Sequence, residues 1–257
     1  MQWPLTMTAA SIIAAFAALG GCAGLHAQAV DVCDAGRFAD AYGFQLSGRT
    51  TISGTSKPVA AIGRLVFDGR GGVTGQSSTG FSGYYVGGPV TGKYEVSADC
   101  TLTWSLQDDS GAWQHFQGKL TPDLLAARFE QTDPGAEQSG TMQKVAPNCS
   151  VAALAPRYSF ALAGSAIPMN PGDVPPHRVD ANGTAETDAA GALRLDVAGA
   201  GGSGTIAIDS DCVATLSLNL PSGTTVALRG VLVNGAKRII AVETDPGATV
   251  TAAFDAK

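Results

Sequence analysis

Apolar residues recur at every second position through most of this chain. Tyr42, Phe44 and Leu46 stand two apart, and Leu102, Trp104 and Leu106 alternate with Thr101, Thr103, Ser105 and Gln107. Period two means a strand with one buried face and one wet face. Read this way, the first half holds eight strands near 41–48, 60–67, 73–80, 90–98, 100–108, 113–120, 125–132 and 137–144. The connectors carry turn formers, as in Asp68-Gly69-Arg70-Gly71-Gly72, Asp109-Ser110-Gly111 and Asp133-Pro134-Gly135. Short turns make successive strands antiparallel neighbours. Closing eight of them into an up-and-down barrel removes two exposed edges.

The pattern then repeats. Tyr42-Gly-Phe44-Gln-Leu46-Ser-Gly48 returns as Tyr158-Ser-Phe160-Ala-Leu162-Ala-Gly164, Asp99-Cys100 as Asp211-Cys212, and Thr132-Asp133-Pro134-Gly135 as Thr244-Asp245-Pro246-Gly247. A four-residue deletion between early and late matches aligns Phe67 with Val179, Asp68 with Asp180 and Gly71 with Gly183. Each copy must fold by the same physics. The expected fold is therefore all-β: a tandem pair of eight-stranded antiparallel barrels over 33–145 and 149–257. A single sixteen-stranded barrel is the alternative, disfavoured because each copy carries its own pair of cysteines.

Those cysteines set the compartment. Cys33 and Cys100 in one copy correspond to Cys149 and Cys212 in the other, so the duplication selects Cys33–Cys100 and Cys149–Cys212 among the pairings of four thiols. Paired cysteines belong to an oxidising compartment. Residues 1–29 lack Asp, Glu, Lys and Arg, and 9–20 is an apolar run of signal-peptide length, too short to span a bilayer. Ala27-Gln28-Ala29 offers a signal-peptidase site after residue 29. Leu19-Gly20-Gly21-Cys22 resembles a bacterial lipobox, which would remove 1–21 and lipidate Cys22. Either route exports the protein to the periplasm, the exterior or, lipidated, the outer membrane. The lead-ins 34–41 and 150–157 are short enough to plug one end of each barrel with a helical turn.

Charge and motif chemistry exclude more than they nominate. The net charge of −6, spread along both copies, speaks against nucleic acid and gives no polybasic membrane patch. The only membrane contact expected is a lipid anchor at Cys22. Gly199-Ala-Gly201-Gly-Ser-Gly204 spells a dinucleotide fingerprint, but a strand follows where a helix is required. Gly87 to Lys93 resembles a phosphate loop, but Tyr94 replaces the magnesium-binding hydroxyl. No cofactor, metal site or catalytic residue is expected. His115 and His177 are not repeated and read as rim residues, and the acids Asp68/Asp180, Asp99/Asp211 and Asp133/Asp245 read as turn formers. Asn148-Cys149-Ser150 and Asn182-Gly183-Thr184 fit the glycosylation sequon, which matters only in a eukaryotic source.

The copies differ most in aromatics. Twelve lie between Cys33 and Asn148, but only Tyr158, Phe160 and Phe254 follow. One reading is that smaller aliphatic side chains fill the second interior, with Leu216, Leu228 and Ala241 standing where the first copy has Trp104, Phe116 and Phe129. The other makes the first copy a binding site, with Tyr84, Tyr85, Trp104, Trp113, Phe116 and Phe129 as candidate ligand contacts.

The runs Tyr42–Gly48, 67–75, 92–101 and 132–135 spell Y-x-F-x-L-x-G, F-D-G-x-G-x-V-x-G, G-x-Y-x-V-x-x-D-C-T and T-D-P-G. The set resembles exported bacterial proteins with no assigned activity, a resemblance that spans the first copy and fades in the second. It transfers no catalytic residue. The strand count is similar to the calycin group of lipocalin-like barrels, although Gly43-Phe44 stands where lipocalins carry G-x-W. The expected function is non-enzymatic binding of a small apolar or glycan ligand in or at the rim of the first barrel. A structural or surface-interaction protein with solid barrels is one alternative. A barrel enzyme of the allene-oxide-cyclase or dirigent type is another, and it needs polar groups pointing inward, whereas Arg64, Glu95, Arg128 and Glu130 have outward parity.

Overall fold

Two closed antiparallel barrels of eight strands each, one per copy, make up the fold. The computed structural model describes residues 33–81, 83–169 and 175–257, so the expected export signal and Cys22 lie outside the described residues. The first barrel runs β1 (Ala41–Ile52), β2 (Thr55–Phe67), β3 (Gly72–Phe81), β4 (Tyr84–Val96), β5 (Thr101–Asp108), β6 (Trp113–Leu120), β7 (Ala126–Gln131) and β8 (Ala136–Lys144). The second runs β9 (Arg157–Ala166), β10 (His177–Thr187), β11 (Ala192–Val197), β12 (Ala200–Ile208), β13 (Val213–Asn219), β14 (Thr225–Val233), β15 (Arg238–Glu243) and β16 (Ala248–Ala256). Each strand pairs with the next, and β8 returns to β1 as β16 returns to β9. Disulfides join Cys33 to Cys100 and Cys149 to Cys212, as the duplication requires. Short 3-10 turns at Ala35–Arg37 and Val151–Ala153 follow the early cysteines.

Two hairpins are longer than the alternation predicts. β1 and β2 stay paired out to Ile52 and Thr55 around Ser53-Gly54, whose φ angles of 48° and 75° suit a two-residue hairpin turn. β3 and β4 likewise stay paired to Phe81 and Tyr84. Both tips are polar or mixed on both faces, so hydrophobic alternation cannot report them.

The turns at the stapled ends share one device. Asp68 Oδ1 accepts from the amides of Arg70 and Gly72, Asp188 Oδ1 from Ala190 and Ala192, and Asp209 Oδ1 from Asp211 and Val213. Asp108 Oδ1 does the same for Ser110 and Ala112 at the opposite end. In each, the residue three after the Asp has a positive φ: Gly71, Gly191, Cys212 and Gly111. The acid satisfies amides that the turn would leave bare.

This device corrects the alignment of the copies. The partner of Asp68 is Asp188, not Asp180, and that of Gly71 is Gly191, not Gly183. Asp180 stands within β10 and pairs with Arg178 at 2.7 Å, so it is not a turn residue. The offset is therefore 116 at Tyr42/Tyr158, 120 at Asp68/Asp188 and 112 at Cys100/Cys212. An insertion before β10 and a shorter β11–β12 hairpin replace the single deletion of four, and Val179 is not the counterpart of Phe67.

The barrels are packed against each other. Ala60 and Ile62, on the outer face of β2, belong to the same buried cluster as Val231, Val233, Ile240 and Val242 of the second barrel. Gln45 on β1 donates to the carbonyls of Ala241 and Ala252 at 2.6 and 2.9 Å. The linker continues β8 onto β14 through a Val145–Val233 bridge and an Ala146-to-Leu232 hydrogen bond. Gly43 is the seat: a Cβ there would stand 2.7 Å from Val233 Cγ1 and 2.8 Å from Val231 Cγ1. Gly43→Val is expected to lose about 1–3 kcal/mol by overpacking this joint. Urea denaturation would check it, and unchanged stability would show that the seat can yield.

Candidate functional site in the mouth of the first barrel

The interior of the first barrel is built in layers. At the stapled end Phe38, fully buried, packs on Tyr42 and Phe67 with ring centroids 4.6 Å away, and Tyr94 closes the group. The Tyr42 hydroxyl donates to the Leu124 carbonyl at 2.7 Å, and that of Tyr94 to the Phe38 carbonyl at 3.1 Å. The next layer holds Phe44, Trp104, Phe116 and Phe129. Trp104 stacks on Phe116 at 5.0 Å and meets Phe129 edge-on at 4.9 Å. Gly140 gives Phe129 room, since a Cβ there would stand 2.8 Å from Phe129 Cζ.

Above this layer the interior opens into a cup of about 480 Å³. Leu46, Val59, Ala61, Val90 and Leu106 line its lower wall, and Ser77, Thr79, Asp108, Gln114, Gln131 and Gln138 its upper wall. Strand parity puts the three glutamines there. Gln114 lies two residues before Phe116, Gln131 two after Phe129, and Gln138 two before Gly140, so each shares the inward face. Gln131 stands directly across from Phe116 in the ladder, so its amide borders the aromatic floor, while Gln114 and Gln138 lie one inward position farther toward the mouth.

The glutamines are not equally engaged. Gln131 Nε2 donates to Asp133 Oδ2 at 2.8 Å, and Asp133 also accepts from the His115 amide and contacts His115 Nδ1 at 2.7 Å. Partial burial raises the Asp133 pKa, but the hydrogen bonds from Gln131 and His115 outweigh it and hold the carboxyl below its usual range. Gln138 is only 7% exposed, yet among the described residues its side chain has no hydrogen-bond partner, and neither has that of Gln114. Both amides face the open cavity, where water or a ligand can take their hydrogen bonds. Asp108 is committed to its turn, where the Ser110 hydroxyl lowers its pKa first and the turn amides add to this.

The structure divides the six aromatic candidates. Trp104, Phe116 and Phe129 are buried against one another as the floor of the cup. Tyr85 sits in β4 rather than in a rim loop and packs on the core of the second barrel, its hydroxyl enclosed without a hydrogen bond of good geometry. Tyr84 and Trp113 are at the mouth end and are 65% and 50% exposed. Tyr84 has the parity of Val86, which lines the cup, while Trp113 has outward parity. His177 contacts the Pro175 carbonyl, and Arg64, Glu95, Arg128 and Glu130 lie on outer faces.

The glutamines are the residues that apolar alternation overlooks. They were findable as polar residues holding inward parity at strand ends. The second barrel lacks the set: Val226, Glu243 and Val250 take the places of Gln114, Gln131 and Gln138, and both valines are fully buried. The described residues hold no cluster of three or more His, Cys, Asp or Glu suited to a metal ion.

Comparison with known proteins adds little. No protein-family model matches the chain, and no curated protein matches it. Among solved structures, a porin-like protein from Bacteroides uniformis ATCC 8492 overlaps 85% of this chain and 98% of its own. Its sequence identity is 11% and its TM-score 0.20, too low to carry an argument about function.

Proposed function

We propose that this is an exported, non-enzymatic binding protein whose first barrel holds a small hydroxyl-rich ligand, a glycan, in its open mouth. The observation that carries the reading is the open cup itself, with the Gln138 amide in its wall, free of protein partners and reachable from the cavity. Hydroxyl groups donate and accept, as the amides of Gln114 and Gln138 do, so a sugar can take the place of water against them. The cup volume falls within the usual range for small-ligand sites. Its polar upper wall favours a glycan over the purely apolar ligand that the aromatic count alone would suggest. The lining groups are amides and hydroxyls plus Asp108, bound in its turn, and its neighbour Asp109, a set that suits holding a ligand better than proton transfer. The two disulfides fit an oxidising, extracytoplasmic location.

Saturation-transfer NMR against a panel of neutral mono- and disaccharides tests the reading. Gln138→Leu is expected to weaken binding about tenfold, the worth of one lost hydrogen bond with its desolvated partner. If no sugar binds, or if binding survives Gln138→Leu and Gln114→Leu unchanged, the mouth is not the site.

A further inference from the structure

We infer that the cup receives the free end of a neutral carbohydrate chain, not an interior stretch and not an acidic sugar. The inference rests on the binding reading above and deepens it.

The first argument is topological. The wall of the first barrel is hydrogen-bonded all the way round, from β1 through β8 and back to β1, so no side cleft leads out of the cup. Its floor is shut twice. The Trp104, Phe116 and Phe129 layer lies under the glutamines, and Phe38, Tyr42, Phe67 and Tyr94 fill the stapled end behind it. A polymer bound through its interior needs an entrance and an exit. This cavity has one opening, so only a terminal unit can reach Gln138.

The second argument is the lip. Tyr84 and Val86 on the β3–β4 hairpin, Ile52 at the β1–β2 tip and Trp113 at the start of β6 are four of the six large apolar side chains that stand exposed among the described residues. All four are at the open end. Aromatic rings present flat apolar faces that suit the C–H faces of sugars. A terminal unit among the glutamines would leave the following units beside Tyr84.

The third argument is charge. The lining includes Asp108 and Asp109 but no Lys or Arg. A uronate or sulfated sugar would bring an anion toward two carboxylates with no cation to meet it, and like charges at this range disfavour binding.

Isothermal calorimetry on the mature full-length chain separates the possibilities. The probes are linear neutral oligosaccharides of glucose, mannose, galactose and N-acetylglucosamine, a cyclic glucose oligosaccharide without ends, and a linear oligouronate. At least one linear neutral probe is expected to bind, the cyclic form at least about tenfold more weakly than its linear counterpart, and the oligouronate more weakly still. Tyr84→Ala should reduce affinity for tri- and longer saccharides more than for a monosaccharide. Equal binding of cyclic and linear forms overturns the chain-end inference while leaving the binding reading intact. Tighter binding of the oligouronate overturns the charge argument. No binding of any probe at up to about 10 mM overturns the binding reading itself, and the inference with it.

Discussion

Trp104→Ala is expected to destabilise the protein by about 3–5 kcal/mol, the usual cost of deleting a large buried aromatic. Trp104 is 4% exposed and touches two rings, one stacked and one edge-on. Such pairs add to simple area burial. The site cannot collapse easily, because the barrel wall is a closed hydrogen-bonded cylinder and the two neighbouring rings are held on two other strands, β6 and β7. Trp104→Leu, which installs the second barrel's Leu216, should recover only part of the loss, since Phe116 and Phe129 would still be shaped around an indole. Denaturation followed by circular dichroism checks both variants. A cost below about 1 kcal/mol for the alanine variant would mean that this layer is not packed core, and the cup would then extend through it.

That layer marks how far the sequence could be read. Period-two alternation located all eight strands of the first barrel, because each has one dry and one wet face. The duplication paired the cysteines, since equivalent positions in two like folds must make equivalent bonds. Where the pattern failed, the failures were physical. The tips at 51–57 and 84–86 extend beyond the closed barrel wall, where no continuous buried face imposes alternation. Asp180-Ala-Asn-Gly183 and Asp188-Ala-Ala-Gly191 both spell Asp-x-x-Gly, so spelling alone could not choose the true turn; only the second has its amides bound to the acid. The barrel–barrel joint left a trace that the alternation reading did not use, the unbroken apolar runs Val59-Ala60-Ala61-Ile62 and Ile239-Ile240-Ala241-Val242, which mean two buried faces. The aromatic excess lies mostly in the interior of the first barrel rather than at its rim. Half of the named rings make the floor, and the polar wall above them was hidden because alternation was scored on apolar residues only.

Replacing Glu243 by Gln is expected to abolish a pH-dependent loss of stability of about 3 kcal/mol. Glu243 occupies the position of Gln131 in the second barrel, inward-facing in β15 and only 7% exposed. Gln131 gives its amide hydrogen to Asp133; an ionised Glu243 has none to give Asp245, and its Oε2 is buried without a partner. Burial pushes its pKa up from 4.5 to about 7, and the Asp245 carboxylate adds to the rise. The folded state therefore holds a proton between about pH 4.5 and 7 that the unfolded chain releases. Stability falls as pH rises through that window and levels off above about 7, where Glu243 is ionised in both states. In Glu243→Gln the group no longer titrates, and its amide can bond Asp245 as Gln131 bonds Asp133. Urea titrations of both proteins at pH 5 and pH 8 isolate the effect, because every other ionisable group is shared and cancels in the double difference. The variant should gain about 2.5 kcal/mol relative to the parent at pH 8 compared with pH 5, because the unfolded Glu243 is already mostly ionised at pH 5. A double difference near zero would mean that Glu243 is hydrated in solution and carries its charge without penalty. The copies would then differ at this position in polarity alone, and the second barrel's mouth would be open to water as the first one's is.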